Sequence, residues 1–267
     1  MTLTVASLHI YPVKSLGGFS VAEVRTTDRG PEHDRRWMLI NAQGRFISQR
    51  EIPAMACLHC SPLSDGFRVT DVRDGATIDM PWALNAGQPR AASVWNDTLQ
   101  LTGASEAVSA WFAHRLEVPC SLVYMPDHCL RNVDPHYATG ITSLSDGYPY
   151  LIMSEASLDD LNGRMDRSIP MDRFRPNIVI AGGSAFQEDG WKEIRIGTTR
   201  FSLVKPCGRC VITTTDQRTG ERGPEPLRTL AAYRKRVTSD GAVKLDIGMN
   251  AMGRIGDLIR TGDIVRA

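Results

Sequence analysis

The sequence predicts a β-rich α+β fold, and three observations carry that expectation. Short apolar runs separated by Gly, Asp, Asn and Pro recur along most of the 267-residue chain, the pattern of strands and turns. Only three stretches show an apolar stripe at helical spacing. The composition, 42% hydrophobic, 7% aromatic and 23% charged, is that of an ordinary globular protein and excludes a disordered or fibrous chain.

In chain order, Leu3 to Ile10, Phe19 to Arg25, Arg36 to Asn41, Phe67 to Val72 and Thr98 to Leu101 read as strands of an antiparallel sheet or barrel. The runs Trp37 to Ile40 and Arg45 to Ile47 flank Asn41-Ala42-Gln43-Gly44, a glycine-ended connection suited to a hairpin. A first helix is expected from Ser105, its N-cap, to Leu116, because Val108, Trp111, Phe112 and Leu116 form one stripe. A second follows Ser154 through Leu158, Leu161 and Met165, with Pro170 beyond its end. A third starts at Pro226 and runs through Leu227, Leu230 and Tyr233 to Arg234-Lys235-Arg236, where cations complement the helix dipole. Between the last two helices, Asn177 to Ala181, Glu193 to Ile196, Arg200 to Val204 and Val211 to Thr215 read as strands. A soft boundary near residue 120 divides the chain into 1–120 and 121–267, with no linker-like composition between the halves.

Thirty-one Lys and Arg against 30 Asp and Glu leave a formal charge of +1, so no global field draws in nucleic acid or an acidic membrane. Met1 to Ile10 alternates like a strand and reads as no signal peptide, and no long apolar window is present to cross a bilayer. The expectation is a cytoplasmic protein without nucleic-acid or membrane partners. Six cysteines in such a chain point to reduced thiols, metal ligation or catalysis rather than a disulfide framework.

Lys205-Pro206-Cys207-Gly208-Arg209-Cys210 places two thiols beside two cations, which favour thiolate over thiol. A thiolate can act as redox nucleophile, persulfide carrier or soft metal ligand; two buried small hydrophobes are the alternative at this stage. Cys57-Leu58-His59-Cys60 admits a zinc site built with Cys207 and Cys210, although the pairs stand far apart for a zinc ribbon. Lys14-Ser15 after a strand, Arg35 before one, and Arg175-Pro176-Asn177 leading into Ile178 put phosphate-gripping side chains at strand ends. The sequence has no Ser-His-Asp order, P-loop, dinucleotide glycine loop or His-Glu-x-x-His helix.

Together these stretches resemble the MOSC family, in the branch whose N-terminal β-barrel domain precedes the MOSC barrel and which includes the mitochondrial amidoxime-reducing component and its bacterial relatives. The resemblance spans nearly the whole chain. It rests on Tyr11-Pro12-Val13-Lys14-Ser15, Asp34-Arg35-Arg36-Trp37, Ser154 to Leu158, Phe174 to Ile180, and Cys207 to Thr214 followed by Asp216 and Gly220.

What the resemblance implies is specific. The cofactor is the molybdenum cofactor in its molybdopterin form, with Cys210 as metal ligand and catalytic thiolate and Cys207 structural. Lys14, Ser15, Arg35, Arg175 and Asn177 bind the pterin phosphate and ring, with Arg209 and Asn250 as further contacts. The reaction is reduction of N-hydroxylated compounds such as amidoximes and hydroxylamines. A cofactor or persulfide carrier without turnover is the alternative, and pyridoxal phosphate binding is a further family-level expectation. The sequence shows no iron–sulfur domain of the kind some bacterial relatives carry, so electrons are expected from a separate flavin, haem or iron–sulfur protein. Asp246-Ile247-Gly248-Met249-Asn250 stands where the branch has a glycine-aromatic-glycine segment, and Asp146-Gly147-Tyr148-Pro149 follows the bacterial pattern, with backbone groups there facing the pterin.

Overall fold

The computed structural model describes residues 2–239 and 241–267. Among them the strands gather into one nine-stranded sheet, one four-stranded sheet and two three-stranded sheets, accompanied by three short α-helices. The chain is β-rich α+β, as the alternation of short apolar runs and turn residues predicts.

The large sheet runs Val265–Arg266, Glu193–Ile196, Thr199–Gly208, Val243–Gly253, Tyr150–Ser154, Ile178–Ala181, Thr4–Ile10 and Phe19–Val21, with Lys235–Val237 pairing Val243–Gly253 off this path. Leu8, Ile152, Ile178, Phe201 and Met249 belong to its buried core. The four-stranded sheet orders Trp37–Ile40, Ser121–Tyr124, Asp97–Gly103 and Pro89–Val94. All four residues of Trp37–Ile40 are buried. Successive strand side chains face opposite ways, so Trp37 and Leu39 enter one core cluster while Met38 and Ile40 enter another. That two-sided burial explains the unbroken apolar run.

Four sequence expectations are corrected in detail. Val211–Thr214 is a 3-10 turn rather than a strand. Thr213 Oγ1 donates to the Cys210 carbonyl at 3.0 Å and Thr214 Oγ1 to that of Val211 at 2.8 Å, an alternative to ladder bonds that hydroxyl side chains offer the backbone. The second helix, Glu155–Asn162, stops before Met165 because the Asn162 amide turns onto the backbone of Ile169, accepting from its N–H at 2.9 Å and donating to its carbonyl at 3.1 Å. The third helix is Leu227–Tyr233, and Lys235–Val237 leaves it to pair with Val243–Leu245, so the cations there lie on a strand. The connection at Asn41 to Gly44 forms, with Gly44 in left-handed backbone (φ 75°), but Trp37–Ile40 finds its ladder with Ser121–Tyr124 and meets Phe46 through a single bridge. The first helix is Glu106–Leu116, capped by Ser105 Oγ accepting from the Val108 N–H at 3.3 Å.

The second helix is seated by a fully buried carboxylate. Glu188 accepts from the Ser154 N–H at 3.2 Å, the Ser154 hydroxyl at 2.9 Å and the Ser157 hydroxyl at 2.7 Å. Replacing Glu188 with alanine strands the Ser154 N–H and one hydroxyl, since the two hydroxyls, 2.8 Å apart, can bond each other only once; each stranded donor costs about 1–3 kcal/mol. Glu188→Ala is therefore expected to lower the unfolding free energy by roughly 3 kcal/mol or more. Urea denaturation measures this; a loss under about 1 kcal/mol contradicts the account.

Candidate functional site

The site lies where the strands of the large sheet hand over to loops. His9, Asn177, Leu151, Asn250 and Lys205 form a row across five adjacent strands or their ends: the His9 N–H donates to the Asn177 carbonyl, the Asn177 N–H to the Leu151 carbonyl, and Asn250 is in register with both Leu151 and Lys205. Chain leaving this row at Tyr11, Pro176, Tyr148 and Pro206 therefore converges. It encloses a cavity of about 160 Å³, lined by six cationic side chains, Lys14, Arg35, Arg50, Arg173, Arg175 and Arg209, against one carboxylate, Asp146. Ser15, Asn177, Cys207, Cys210 and Asn250 also line it, so all eight residues singled out in the sequence meet in one place.

Three of them hold unusual backbone. Ser15, Arg35 and Arg175 have φ of 67°, 47° and 57°. Left-handed backbone in a non-glycine residue costs on the order of 1–3 kcal/mol and persists only where surrounding structure enforces it. For Arg35, and through it Arg175, the buried Asp34 does so. It accepts from the Tyr11 N–H at 2.9 Å and from Arg35 Nη1 at 2.7 Å, while Arg35 Nη2 donates to the Arg175 carbonyl at 3.1 Å. The guanidiniums of Arg35 and Arg175 stand 4.3 and 4.4 Å from the Tyr11 ring centre, which fixes both. Burial and the neighbouring Arg35 lower Arg175 to about 10. Burial likewise brings Lys14 down to about 8, opposed by Asp146.

Lys14 Nζ donates to the Leu144 carbonyl at 2.9 Å and to Asp146 Oδ1 at 2.6 Å. Asp146 also accepts from Arg50 Nη2 at 3.1 Å; burial raises its carboxyl, but the two cations outweigh that and hold it well below the usual carboxylate range. Ser15 is tied to the thiol loop through the buried pair Gln49 and Gln217: Gln49 Nε2 donates to the Ser15 carbonyl at 2.8 Å, and the two amides bond each other at 3.0 and 3.1 Å. Arg209 donates to the carbonyls of Ile247 and Phe174 at 2.9 and 3.0 Å. Asn250 Nδ2 reaches the Lys205 and Pro206 carbonyls at 3.4 Å, and Asn177 is held by the Leu151 N–H and the His9 carbonyl, both at 3.2 Å. Cys210, partly exposed, sits at the start of the 3-10 turn; burial pushes the Cys207 thiol up, with Arg209 opposing.

The test of what this cavity accepts is its unspent donors. Arg50 Nη1, Arg173 Nε, Arg175 Nη2 and Arg209 Nη2 are buried without a hydrogen-bond partner among the described residues. Buried polar groups are rarely left so, and the three nitrogens of Arg173, Arg175 and Arg209 around one cavity suit a group carrying several negative oxygens, while Arg50 stands apart beside Asp146 and Cys210. A phosphorylated pterin with a metal beside Cys210 fits that donor set.

Arg50 and the carboxylate of Asp146 were not singled out as ligand contacts by the sequence, and Arg173 lay in the phosphate-gripping stretch 172–177 without being assigned a contact of its own. Arg50 follows Gln49 in an ordinary polar loop, and no local signal marks it; Arg173 stands two residues before Arg175 and could have been found by that proximity. The zinc reading is corrected. No three His, Cys, Asp or Glu side chains among the described residues converge to hold a metal, and Cys60 is buried in the core packed around Trp37, which pushes its thiol up to about 12.

A model of the MOSC N-terminal beta barrel domain matches residues 2–119, and one of the MOSC domain matches residues 139–266. Mitochondrial amidoxime-reducing component 1 of Homo sapiens is 35% identical over 247 residues, covering 87% of this chain and 72% of that protein. Molybdenum cofactor sulfurase of Oryza sativa subsp. japonica is 30% identical over 257 residues, covering 86% of this chain and 31% of that much longer protein. Among solved structures, the YUAD protein from Bacillus subtilis aligns over 99% of this chain and 94% of its own with a TM-score of 0.43 and 11% identity. Pyridoxal phosphate binding gains no support from these matches. No helix among the described residues is long and apolar enough to cross a membrane. With both domain models matched in order and a relative 35% identical across most of its length, the chain belongs to the MOSC family, a MOSC N-terminal β-barrel domain followed by a MOSC domain.

Proposed function

We propose that this chain is a molybdenum-cofactor-dependent oxidoreductase that reduces N-hydroxylated small molecules such as amidoximes and hydroxylamines. The observation that carries the reading is the set of three guanidinium nitrogens, of Arg173, Arg175 and Arg209, left without a partner among the described residues around a cavity that also presents Cys210. Relatives named amidoxime-reducing components support the choice of substrate. Lys14, Ser15, Arg35, Arg175 and Asn177 hold the phosphate and pterin, Arg209 and Asn250 flank the ring, and the Cys210 thiolate is the protein's ligand to molybdenum. When bound, the cofactor supplies a metal centre able to pass two electrons to an N–O bond. The reaction consumes two electrons and two protons per N–O bond, releasing the reduced nitrogen compound and water. The electrons come from a separate protein carrying flavin, haem or iron–sulfur.

The test is purification from a host able to make the cofactor, followed by molybdenum analysis, fluorescence of the oxidised pterin, and conversion of benzamidoxime to benzamidine with a supplied electron donor. Near-stoichiometric metal with turnover supports the reading; absence of metal and pterin sinks it. A second reading, a carrier of the cofactor or of persulfide sulfur on Cys210, draws on the sulfurase relatives. Transfer of molybdenum to an acceptor enzyme, with no turnover under any donor, favours that one.

Lys14 gives the bound state a pH signature. Its folded value of about 8 lies below the ordinary lysine value, so the cation is present below about pH 8 and is lost as pH rises through it. Cofactor affinity is expected to start falling above about pH 8, and Lys14→Arg, which stays charged, should remove that fall. In cofactor-free protein the sign reverses: the buried cation costs stability below about pH 8, a cost relieved as pH rises toward the unfolded value near 10.5. Pterin release against pH measures the first effect. A flat profile to about pH 9.5 means that Lys14 does not hold the anion.

A further inference from the structure

The polar groups of the cavity lie at two depths. Lys14, Ser15, Arg175 and Asn177 are each less than one-tenth exposed. Arg50 keeps 23% of its side chain accessible and Asp146 keeps 60%. Arg50 comes from the first half of the chain and reaches across to Asp146, and its guanidinium stands beside the Cys210 thiol, close enough to interact with it. One face of that guanidinium lies 4.6 Å from the ring centre of Trp95. Its Nη1 is buried and, apart from the nearby Cys210 sulfur, has no hydrogen-bond partner among the described residues.

Trp95 is 46% exposed, an uncommon state for so large an apolar ring. It occupies the turn between Pro89–Val94 and Asp97–Gly103, in left-handed backbone with φ 55°, and Phe46 braces it at 5.1 Å. The turn thus stacks a half-exposed indole on the guanidinium of Arg50, just outside the residues that line the cavity.

The geometry points to Arg50 and Trp95 as the substrate-facing rim, Arg50 holding the oxygen of the N–O group beside Cys210 and Trp95 receiving a flat, aromatic substrate body. This rests on the reductase reading and deepens it. The deep cations are matched to the cofactor's anionic end, which leaves Arg50, with 23% of its side chain accessible, for what enters from solvent. In the reaction the N–O bond breaks, two electrons arrive from the donor protein, and two protons make the N–H and complete the departing water. Arg50 keeps its own proton and offsets the negative charge that grows on the leaving oxygen. A lysine cannot replace it, because one guanidinium fork serves both Asp146 and the spare donor direction.

The experiment uses the cofactor-loaded full chain with Trp95→Ala, Trp95→Phe, Arg50→Lys and Arg50→Gln. Molybdenum content is measured first, then turnover of benzamidoxime and of N-methylhydroxylamine, then calorimetric binding of benzamidoxime to oxidised protein without reductant. All four variants are expected to hold wild-type molybdenum. Trp95→Ala should raise the KM and Kd of benzamidoxime about 2- to 10-fold relative to any change for N-methylhydroxylamine, the size of an aromatic contact, with Trp95→Phe between. Arg50→Gln should lower kcat for both compounds by about 100-fold, and Arg50→Lys should not rescue it. Molybdenum loss in Arg50→Gln would overturn the assignment by making Arg50 a cofactor contact. Equal effects of Trp95→Ala on the two substrates would overturn the role of the indole. If wild-type protein holds molybdenum yet turns over neither compound, the reductase reading falls; an unchanged benzamidoxime Kd in Trp95→Ala then overturns the rim as well, and a weakened one sustains it.

Discussion

Cys210→Ala is expected to fold like wild type, lose its molybdenum and show no reductase turnover. The side chain is partly exposed in the cavity wall, and what organises the local turn is the Cys210 carbonyl, which accepts from Thr213 N and Thr213 Oγ1. Removing the sulfur leaves those bonds, so the stability change should stay within about 1 kcal/mol. The pterin is held through other groups, the cations and amides of the strand ends, and some pterin should therefore remain after the metal has gone. Cys207→Ala is the matched control: its thiol is pushed up by burial, it is not the proposed ligand, and its molybdenum should remain. Metal analysis and pterin fluorescence on the two variants separate the roles. A Cys210→Ala protein that keeps its metal and wild-type turnover would remove the basis of the proposed function.

Much of this site was legible because its residues sit at strand ends, and strand ends can be read from local pattern. Lys14-Ser15 closes an alternating run, Arg175-Pro176-Asn177 opens a buried one, and proline with asparagine marks the passage between loop and strand. What lay beyond reach was set by pairing between distant segments. Ser121–Tyr124 pairs with both Trp37–Ile40 and Asp97–Gly103, and no local feature of these segments reveals that order. Arg50 is the clearest case: its role depends on Asp146, Trp95 and Cys210, which are 96, 45 and 160 positions away in the sequence and meet only in the folded sheet arrangement. Val211–Thr214 failed differently. Its β-branched composition is that of a strand, and hydroxyl-to-backbone bonds, which propensity does not record, turned it into a 3-10 segment.

Arg175→Met should separate binding from stability most sharply, because its two effects carry opposite signs. The Arg175 side chain is 9% exposed, its Nη2 has no partner among the described residues, and its main support is the Tyr11 ring. A guanidinium so placed pays for desolvation without recovering it in hydrogen bonds, which is why its pKa falls to about 10. Methionine fills similar space and carries no charge, so cofactor-free Arg175→Met should be as stable as wild type or more so, by about 1–3 kcal/mol. The bound state should move the other way. A charge-assisted hydrogen bond contributes about 1.5–3 kcal/mol, so its loss should weaken cofactor retention roughly 10- to 100-fold. Thermal unfolding of the cofactor-free protein and pterin occupancy of the protein as purified read the two effects independently. A destabilised variant with full occupancy would make Arg175 a structural cation. A variant unchanged in both would show that its free nitrogen is not directed at the ligand, and would weaken the inference drawn from the unpartnered guanidiniums of Arg173 and Arg209.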